Sequence, residues 1–456
     1  MTEHSADVVV LGGGSGGYAA AIRASELGKS VILIEKDKVG GTCLHRGCIP
    51  TKALLHAAEI ADHVRDAASV GVSATLDGID PTAVTAYREG IVAKKFKGLE
   101  GLLRARGITT VAGAGRLLPD RGVTVGDDVY RGTDVILATG SYSRSLPGLE
   151  IGGRVIDSAG ALSLAEIPGR VVILGGGVIG VEFASVWRSF GAEVTIVEAL
   201  DHLVPNEDVA LSKALERAFR KRGITSKLGV RFAGVTQTDA GVQVTLEDGM
   251  TLDADYLLVA VGRGAATSGL GFEDAGIALD RGFVTVDERL QTSVEHVWAV
   301  GDIVSGLQLA HRSFQQGIFV AEQLAGLRPI TVPEASIPRV TYSSPEVASV
   351  GLTEAQARAA HGDSVTAYEY NLAGNGRSEI LGTAGLVKVV RVADGPIVGV
   401  HLIGDRVGEL ITEGQLAVAW EAHPEDIAPY VHAHPTQSEA LGEAFLALAG
   451  KPLHAL

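Results

Sequence analysis

Two stretches of the chain share one rhythm of apolar and polar positions. Residues 8–35 (VVVLGGGSGGYAAAIRASELGKSVILIE) and 171–198 (VVILGGGVIGVEFASVWRSFGAEVTIVE) each open on a short apolar run and break at clustered glycines. Each then continues at helical length and closes on a second apolar run ending in an acid. Laid over one another without a gap, they agree at 11 of 28 positions. Short apolar runs bounded by glycine predict buried strands, and the segments between, stopping at Gly28 and Gly191, predict helices. Each copy is therefore a βαβ unit. Segments 134–140 and 255–262 read as further buried strands ending at glycine turns, each closing one sheet. Beyond residue 341 the pattern changes. Strand-like stretches at 386–392 and 397–403 accompany a helix-like stretch at 408–421, with no third glycine cluster. The expected fold class is α/β, with two Rossmann-like dinucleotide-binding domains and a separate C-terminal α+β domain.

The glycines carry the first candidate chemistry. Gly12, Gly14 and Gly17 form one G-x-G-x-x-G, and Gly175, Gly177 and Gly180 form another. In such a turn the first glycine permits the tight bend, the second lets a pyrophosphate approach the backbone, and the third lets helix and strand pack closely. The helix N-terminus then offers unpaired N–H groups to the phosphates. Glu35 and Glu198 each lie 23 residues after their first glycine, where an acid can accept hydrogen bonds from an adenosine ribose. A single glycine motif is often only a turn, and a strand-ending Glu often only a solvated charge. Two matched copies point to two dinucleotides. Gly28-Lys29-Ser30 resembles the end of a P-loop, but Arg23 stands where its first glycine belongs. Residues 13–17 also match the G-x-S-x-G elbow of serine hydrolases. The second copy has Val178 where the first has Ser15, so the turn does not depend on that serine.

Composition narrows the classes. A chain of 456 residues, 46% apolar and 20% charged, suits an ordered protein of several domains rather than a disulfide-stapled or disordered one. The net charge of −15 opposes approach to nucleic acid or to an anionic membrane. No apolar run reaches the roughly 18 residues of a spanning helix. Residues 1–6 lead into the first strand without a basic, apolar leader, so a cytoplasmic protein is expected, with neither membrane nor nucleic acid as partner.

Only two cysteines exist, Cys43 and Cys48, in the segment 40–52 (GGTCLHRGCIPTK). Residues five apart in a regular helix have Cα atoms on the order of 8 to 9 Å apart, too far for a disulfide. If the pair does redox work, the segment must loop or distort, which Gly41 and Gly47 permit, while Pro50 suits the first turn of a following helix. Cys48 then sits near a positive helix end, with Arg46 and Lys52 adding charge that favours thiolate. The alternative is two small buried apolar residues. A second constellation is residues 432–439 (HAHPTQSE). A histidine can take protons from a dithiol near neutral pH, and a Glu against its other ring nitrogen fixes the tautomer. On chemistry alone, His432 or His434 can serve. Their spacing does not match a common zinc site, and no metal is expected. Asp302, after the apolar run 297–300, is either a helix N-cap or a ligand-binding carboxylate.

Taken together, the first glycine motif, GGTCLHRGCIPTK, the second glycine motif, AVGD at 299–302, YSSPEVASVGLTE at 342–354 and HAHPTQSE resemble the disulfide reductase branch of the flavoprotein pyridine nucleotide oxidoreductases, most of all its dihydrolipoamide dehydrogenase members. The resemblance spans nearly the whole chain. It implies FAD in a domain over 1–147, NAD in a domain over 148–270, a central domain over 271–340 completing the flavin site, and a dimerisation domain over 341–456. It further implies that Cys43 is the interchange thiol and Cys48 the thiol facing the flavin, with Lys52 near the flavin and Glu182 its ion-pair partner. Glu182 falls where the first copy has Ala19, so the helix itself does not require an acid there. Asp302 would hold the ribityl chain, with the backbone around Ala310 and His311 at the pyrimidine end of the ring. Thr139 and Gly140 would line the flavin site, and Gly262 the nucleotide site. His434 is implied as the base and Glu439 as its orienting acid, supplied across a homodimer.

The implied activity is oxidation of dihydrolipoyl groups with reduction of NAD, the partners being lipoyl carrier domains of 2-oxo acid dehydrogenase or glycine cleavage systems. The alternative is a related reductase acting on another low-molecular-weight disulfide. Glu198-Ala199-Leu200-Asp201 offers no arginine for the extra phosphate of NADPH, which the acid would repel. The cysteine-free C-terminal tail lacks the further thiols that mercuric and large thioredoxin reductases need, and soluble transhydrogenases of this fold generally lack the redox pair. Two departures bear on carrier preference and flavin potential. Common members have an Asn in the cysteine loop where this chain has His45-Arg46, and segment 311–317 lacks acids often found there.

Overall fold

The computed structural model describes residues 2–454 and divides into two compact units. The first holds residues 2–53, 82–144 and 262–332; the second holds 54–81, 145–261 and 333–454.

In the first unit, β1 (Glu3–Leu11), α1 (Ser15–Glu26) and β2 (Val31–Glu35) form the first βαβ repeat. β1 lies between β2 and the strand Asp128–Leu137, parallel to both, and Val297–Ala299 pairs in parallel with the last residues of that strand. The registers Leu11↔Leu137, Leu137↔Ala299 and Leu11↔Ile34 bring four strand ends to one edge of the sheet. The Gly12 turn, Glu35, Thr139-Gly140 and Gly301-Asp302 all emerge there, at the carboxyl edge where open α/β sheets bind ligands. Alternate β-residues feed the two faces. Val8, Val10, Leu33 and Ile136 pack with Ala20, Ala21 and Ala24 of α1, while Val9, Leu11, Ile34 and Leu137 pack on the other side with Phe272. Small residues let α1 lie close to the helix Ala310–Leu324: a Cβ on Gly317 would fall 2.3 Å from the carbonyl oxygen of Gly16.

In the second unit, Arg170–Leu174, Val178–Ser189 and Glu193–Glu198 repeat the motif inside a five-stranded parallel sheet. The C-terminal part of the same unit is a five-stranded antiparallel sheet including Leu386–Val392 and Ile397–Gly404. The helices Ile411–Ala419 and Glu439–Leu448 bury Ile411, Ala417, Leu441 and Phe445 against Val387, Val389, Val400 and Leu402. The helix expected over 408–421 is split: Val407–Glu409 is a 3-10 turn, and Glu421 leaves the helix at φ +52°. Gly408 lies in close packing there, where a Cβ would meet Val340 at 2.8 Å. Lys388, alternating with Val387 and Val389, is buried and held by Asp208 at 2.9 Å and Glu354 at 2.7 Å. Among the described residues no helix is long and apolar enough to cross a membrane, and no cluster of three or more His, Cys, Asp and Glu is arranged for a metal.

This unit carries a pH-sensitive carboxyl. Glu346 is pushed up to about 7 from 4.5, first by burial and then by the charges of Asp405, Glu409 and Glu59, against the relief of the Gly408 amide that donates to it at 2.9 Å. The folded protein thus holds a proton that the unfolded chain releases, so this stabilisation is complete below pH 4.5 and lost as pH rises through about 7. Glu346→Gln should therefore raise unfolding stability at pH 8, by up to about 3 kcal/mol, and leave it nearly unchanged at pH 4.5. Urea unfolding at the two pH values measures the difference.

Candidate redox and nucleotide sites

The two glycine turns have the same geometry. Gly12 and Gly175 have φ of +106° and +103°, and a Cβ on either would strike the carbonyl oxygen of Ala138 at 2.3 Å or Ala260 at 2.4 Å. A Cβ on Gly17 or Gly180 would fall 1.8 or 1.9 Å from the carbonyl oxygen of Gly12 or Gly175. Protein packing therefore accounts for the first and third glycines of each motif. It does not account for the middle ones: a Cβ on Gly14 or Gly177 would meet nothing within 4 Å. Both are helix N-caps without a side chain, so they leave room and N–H groups for a pyrophosphate.

The strand-ending acids are also matched. Glu35 accepts from the Gly13 amide at 2.7 Å and the Asp37 amide at 2.9 Å; Glu198 accepts from Gly176 at 2.6 Å and Leu200 at 2.8 Å. Each carboxylate oxygen has two acceptor sites, so the amide bonds leave capacity for ribose hydroxyls. Burial pushes the Glu35 carboxyl up, opposed by the Gly13 amide. The residues present thus fit a dinucleotide at each turn.

In the first unit the cysteine segment is stitched to the glycine turn. The Gly40 amide donates to the Gly13 carbonyl at 2.8 Å, and a Cβ on Gly41 would sit 2.7 Å from the Cα of Gly14. Gly40 and Gly41 take φ of +104° and +57° to achieve this, so the sharp bend lies before Cys43. Cys43 rides on the short α2 (Gly41–His45), the helix breaks at Arg46-Gly47, and Cys48 begins α3 (Cys48–Asp66), with Pro50 and Lys52 in its early turns. The cysteines are free thiols hydrogen-bonded to one another. The Cys43 thiol is pushed up by that hydrogen bond, by burial and by charge on Cys48, while the Ser15 hydroxyl, hydrogen-bonded to Cys43, and the Lys52 ammonium act in the opposite sense. Burial and the neighbouring sulfurs push the Tyr18 phenol up to about 12, so it stays a neutral donor beside the pair. His45 bonds the Val39 carbonyl at 2.9 Å and meets Phe96 edge-on, and Arg46 pairs with Asp37. His45 and Arg46 thus anchor the loop.

At the sheet edge, Asp302 accepts from Ser141 Oγ at 2.5 Å, which itself accepts from Arg263 Nε at 2.7 Å. Thr139 Oγ1 donates to the Ala266 carbonyl at 2.6 Å, and Gly140 turns at φ +77°. Asp302 lies in the 3-10 turn Gly301–Ile303. Ala310 and His311 open the 15-residue helix Ala310–Leu324, whose N-cap Leu309 makes no side-chain cap. Gly262 follows the strand Tyr256–Val259 by three residues, as Gly140 follows Leu137, and turns at φ +108° in the first unit with its carbonyl accepting from the Arg144 amide.

In the second unit Glu182 is buried on the helix Val178–Ser189 and accepts from the Tyr342 amide at 2.9 Å. The two candidate histidines differ. His432 is 16% exposed and bonded to Glu413 at 2.7 Å, whereas His434 is 78% exposed with Nδ1 on Glu439 at 2.8 Å. Only His434 presents its second nitrogen outward on this geometry. Against burial, the Thr436 amide and the His434 ring hold the Glu439 carboxyl below its usual range. The loop is anchored again by buried Asn375, whose Nδ2 donates to the Thr436 carbonyl at 2.9 Å. Sequence reading missed Asn375, Ser141 and Arg263, because each is placed by contacts far along the chain. Tyr18 was visible as an aromatic one turn after Ser15, without a signal for its role.

Comparison with known proteins decides the family. The family model described as pyridine nucleotide-disulphide oxidoreductase matches residues 6–317, and that of its dimerisation domain matches residues 337–445. The chain belongs to this family. Among its members, the dihydrolipoyl dehydrogenase of Bacillus subtilis is 40% identical over 98% of this chain and 99% of its own length. The mitochondrial dihydrolipoyl dehydrogenase of Pisum sativum is 39% identical, covering 98% of this chain and 92% of its own. The crystal structure of LpdA from Mycobacterium tuberculosis superposes with a TM-score of 0.88 at 27% identity, over 98% of this chain and all of its own. The family fold, two dinucleotide-binding βαβ domains and a C-terminal α+β domain, is the one described above.

Proposed function

We propose that the protein is an NAD-dependent dihydrolipoamide dehydrogenase that oxidises carrier-bound dihydrolipoyl groups. The observation that carries this reading is a hydrogen-bonded dithiol at a helix N-terminus, stitched to a glycine turn fitted for a dinucleotide. The cofactors are FAD and NAD. Bound FAD supplies two-electron exchange between the dithiol and the nicotinamide, chemistry that side chains lack. Gly12, Gly14, Gly17, Glu35, Thr139, Gly140, Asp302, Ala310 and His311 hold it, with Lys52 supplying positive charge and Glu182 the counter-charge. Gly175, Gly177, Gly180, Glu198 and Gly262 serve NAD.

The exchange itself is carried by the chain. In the oxidised protein a dihydrolipoyl thiolate attacks Sγ of Cys43, the bond to Cys48 breaks, and Cys48 leaves as thiolate at the helix N-terminus. His434 of the partner subunit takes the proton of the second substrate thiol at Nε2. Its Nδ1 is held by a carboxylate in the manner of the Glu439 contact, which fixes the ring's tautomer and orientation. The new thiolate displaces Cys43, closing the lipoyl disulfide. Substrate loses two electrons and two protons; the cysteine pair gains the electrons. The functional borders are 1–147 for FAD, 148–270 for NAD, 271–340 for the central domain and 341–456 for the dimer contact. The protein works as a cytoplasmic homodimer on lipoyl carrier domains, with neither nucleic acid nor membrane as partner.

Assaying NADH and NADPH against lipoamide and glutathione disulfide tests the reading. NADH with lipoamide should exceed every other pairing by at least about a hundredfold, the cost of a buried unmatched charge or hydrogen bond at either site. Exclusive turnover of NADPH with glutathione disulfide would reject it.

A further inference from the structure

His434 is 78% exposed and the Glu439 side chain 25%, so packing does not hold the ring. Hydrogen bonds hold it instead. Glu439 sets one carboxylate oxygen on Nδ1 of His434 at 2.8 Å and the other on the Thr436 amide at 2.7 Å, while the Thr436 hydroxyl donates to the Ala433 carbonyl at 2.6 Å. Thr436 is thus the hub of the loop. Its own carbonyl accepts from Nδ2 of the buried Asn375 at 2.9 Å. The segment carrying Asn375 is fixed to the scaffold, since Leu372 lies in the same buried cluster as Leu441 and Phe445 of the helix that Glu439 opens. Asn375 also caps the short helix Gly376–Leu381, its Oδ1 accepting from the amide and the hydroxyl of Ser378 at 2.9 Å each. The Ser378 amide can only donate, which fixes the oxygen on that side and turns the amino group towards Thr436. A cap needs no amino group: Asp157, Asp208 and Thr353 cap other helices of this chain with an oxygen alone. The nitrogen of Asn375 serves the loop.

We propose that Asn375 is a positioning residue for proton transfer: by holding the Thr436 carbonyl it keeps Glu439 on Nδ1 of His434, so that Nε2 is left bare and directed outward. This deepens the dihydrolipoamide dehydrogenase reading and rests on it for the identity of the substrate. The step served moves one proton from the substrate thiol to Nε2, leaving a thiolate and an imidazolium, while the Nδ1–H stays on Glu439. Asn375 touches none of these atoms. Its effect is through placement, and a base displaced by about 1 Å can lose on the order of a hundredfold in rate.

Serine caps a helix as well as asparagine but carries no amino group to reach Thr436. Asn375→Ser holoenzyme is therefore compared with the unmodified enzyme, with Glu439→Gln and with the double variant. Asn375→Ser should lower kcat with lipoamide about tenfold, the scale of one buried acceptor left unpaired, with KM and the NADH–ferricyanide rate held within about twofold. In the Glu439→Gln background the same substitution should change kcat by less than about twofold, because Asn375 acts through that carboxylate; a general loosening of the domain would multiply the two losses. NMR spectra of enzyme labelled with nitrogen-15 at histidine, the His434 signals being those lost in His434→Gln, supply a reading without substrate. At pH 9 the ratio of Nδ1–H to Nε2–H tautomer at His434 should fall about tenfold in Asn375→Ser, in step with kcat. An unchanged ratio, an unchanged kcat or losses that multiply would each overturn the proposal. Asn375→Thr is made alongside as a second cap without an amino group; if neither variant yields a flavin-loaded dimer, Asn375 is a scaffold residue and the proposal falls. Failure of the unmodified enzyme to turn over lipoamide would count against the activity instead, and the tautomer ratio would still decide the role of Asn375.

Discussion

Cys48→Ser yields a protein that keeps its flavin but loses dihydrolipoamide-dependent NAD reduction by more than about a thousandfold. Cys48 opens α3, where unpaired N–H groups favour negative charge, and it is the hydrogen-bond partner of Cys43. A serine fills nearly the same volume, so the fold and the glycine turn that fits FAD are left intact. It cannot accept attack as half of a disulfide, nor leave as a stable anion near neutral pH. Turnover with lipoamide therefore ends, while electron flow from NADH to ferricyanide, which bypasses the sulfurs, continues. Stopped-flow absorbance of the two reactions checks both halves. Lipoamide turnover above a few per cent would place the chemistry elsewhere.

His434→Gln gives the second large loss, roughly a hundredfold to ten-thousandfold in kcat, the usual contribution of a positioned base. Gln keeps a polar group near Glu439 but cannot take a proton. KM for lipoamide should move little, since the substrate still reaches Cys43. The pH profile carries a second signature: the limb set by imidazole disappears. His432→Gln should not reproduce this, because His432 is turned inward on Glu413 with a raised pKa caused by that carboxylate. Steady-state rates of both variants from pH 6 to 9 test the assignment, and an unaltered pH limb in His434→Gln would remove His434 as the base.

The repeated glycine rhythm made both βαβ units legible, since each local choice agreed with the next: buried strand, tight turn, helix, acid. The need for the cysteine segment to distort also followed from helical geometry alone. Local patterning carried less elsewhere. β1 begins at Glu3, in polar residues, because it pairs with residues 129–134 across the sheet. The helix Pro81–Ala105 runs 25 residues with only Arg88 and Leu103 buried, so its apolar face is too sparse to announce it. The break at Arg46-Gly47 between the cysteines is where the spacing required the segment to distort, whereas the further bend at Gly40-Gly41 is set by contact with Gly14. Asn375 reaches a carbonyl 61 positions away, and Ser141 meets a carboxylate 161 positions away. Such contacts depend on tertiary placement.

The interruption at Arg46-Gly47 has a kinetic consequence. With each sulfur on its own helix, making or breaking a bond between them twists a two-residue joint and leaves the helical ladders on either side whole. Little of the scaffold has to reorganise at each turnover, so a cross-link that elsewhere fastens a fold can here open and shut as a reagent.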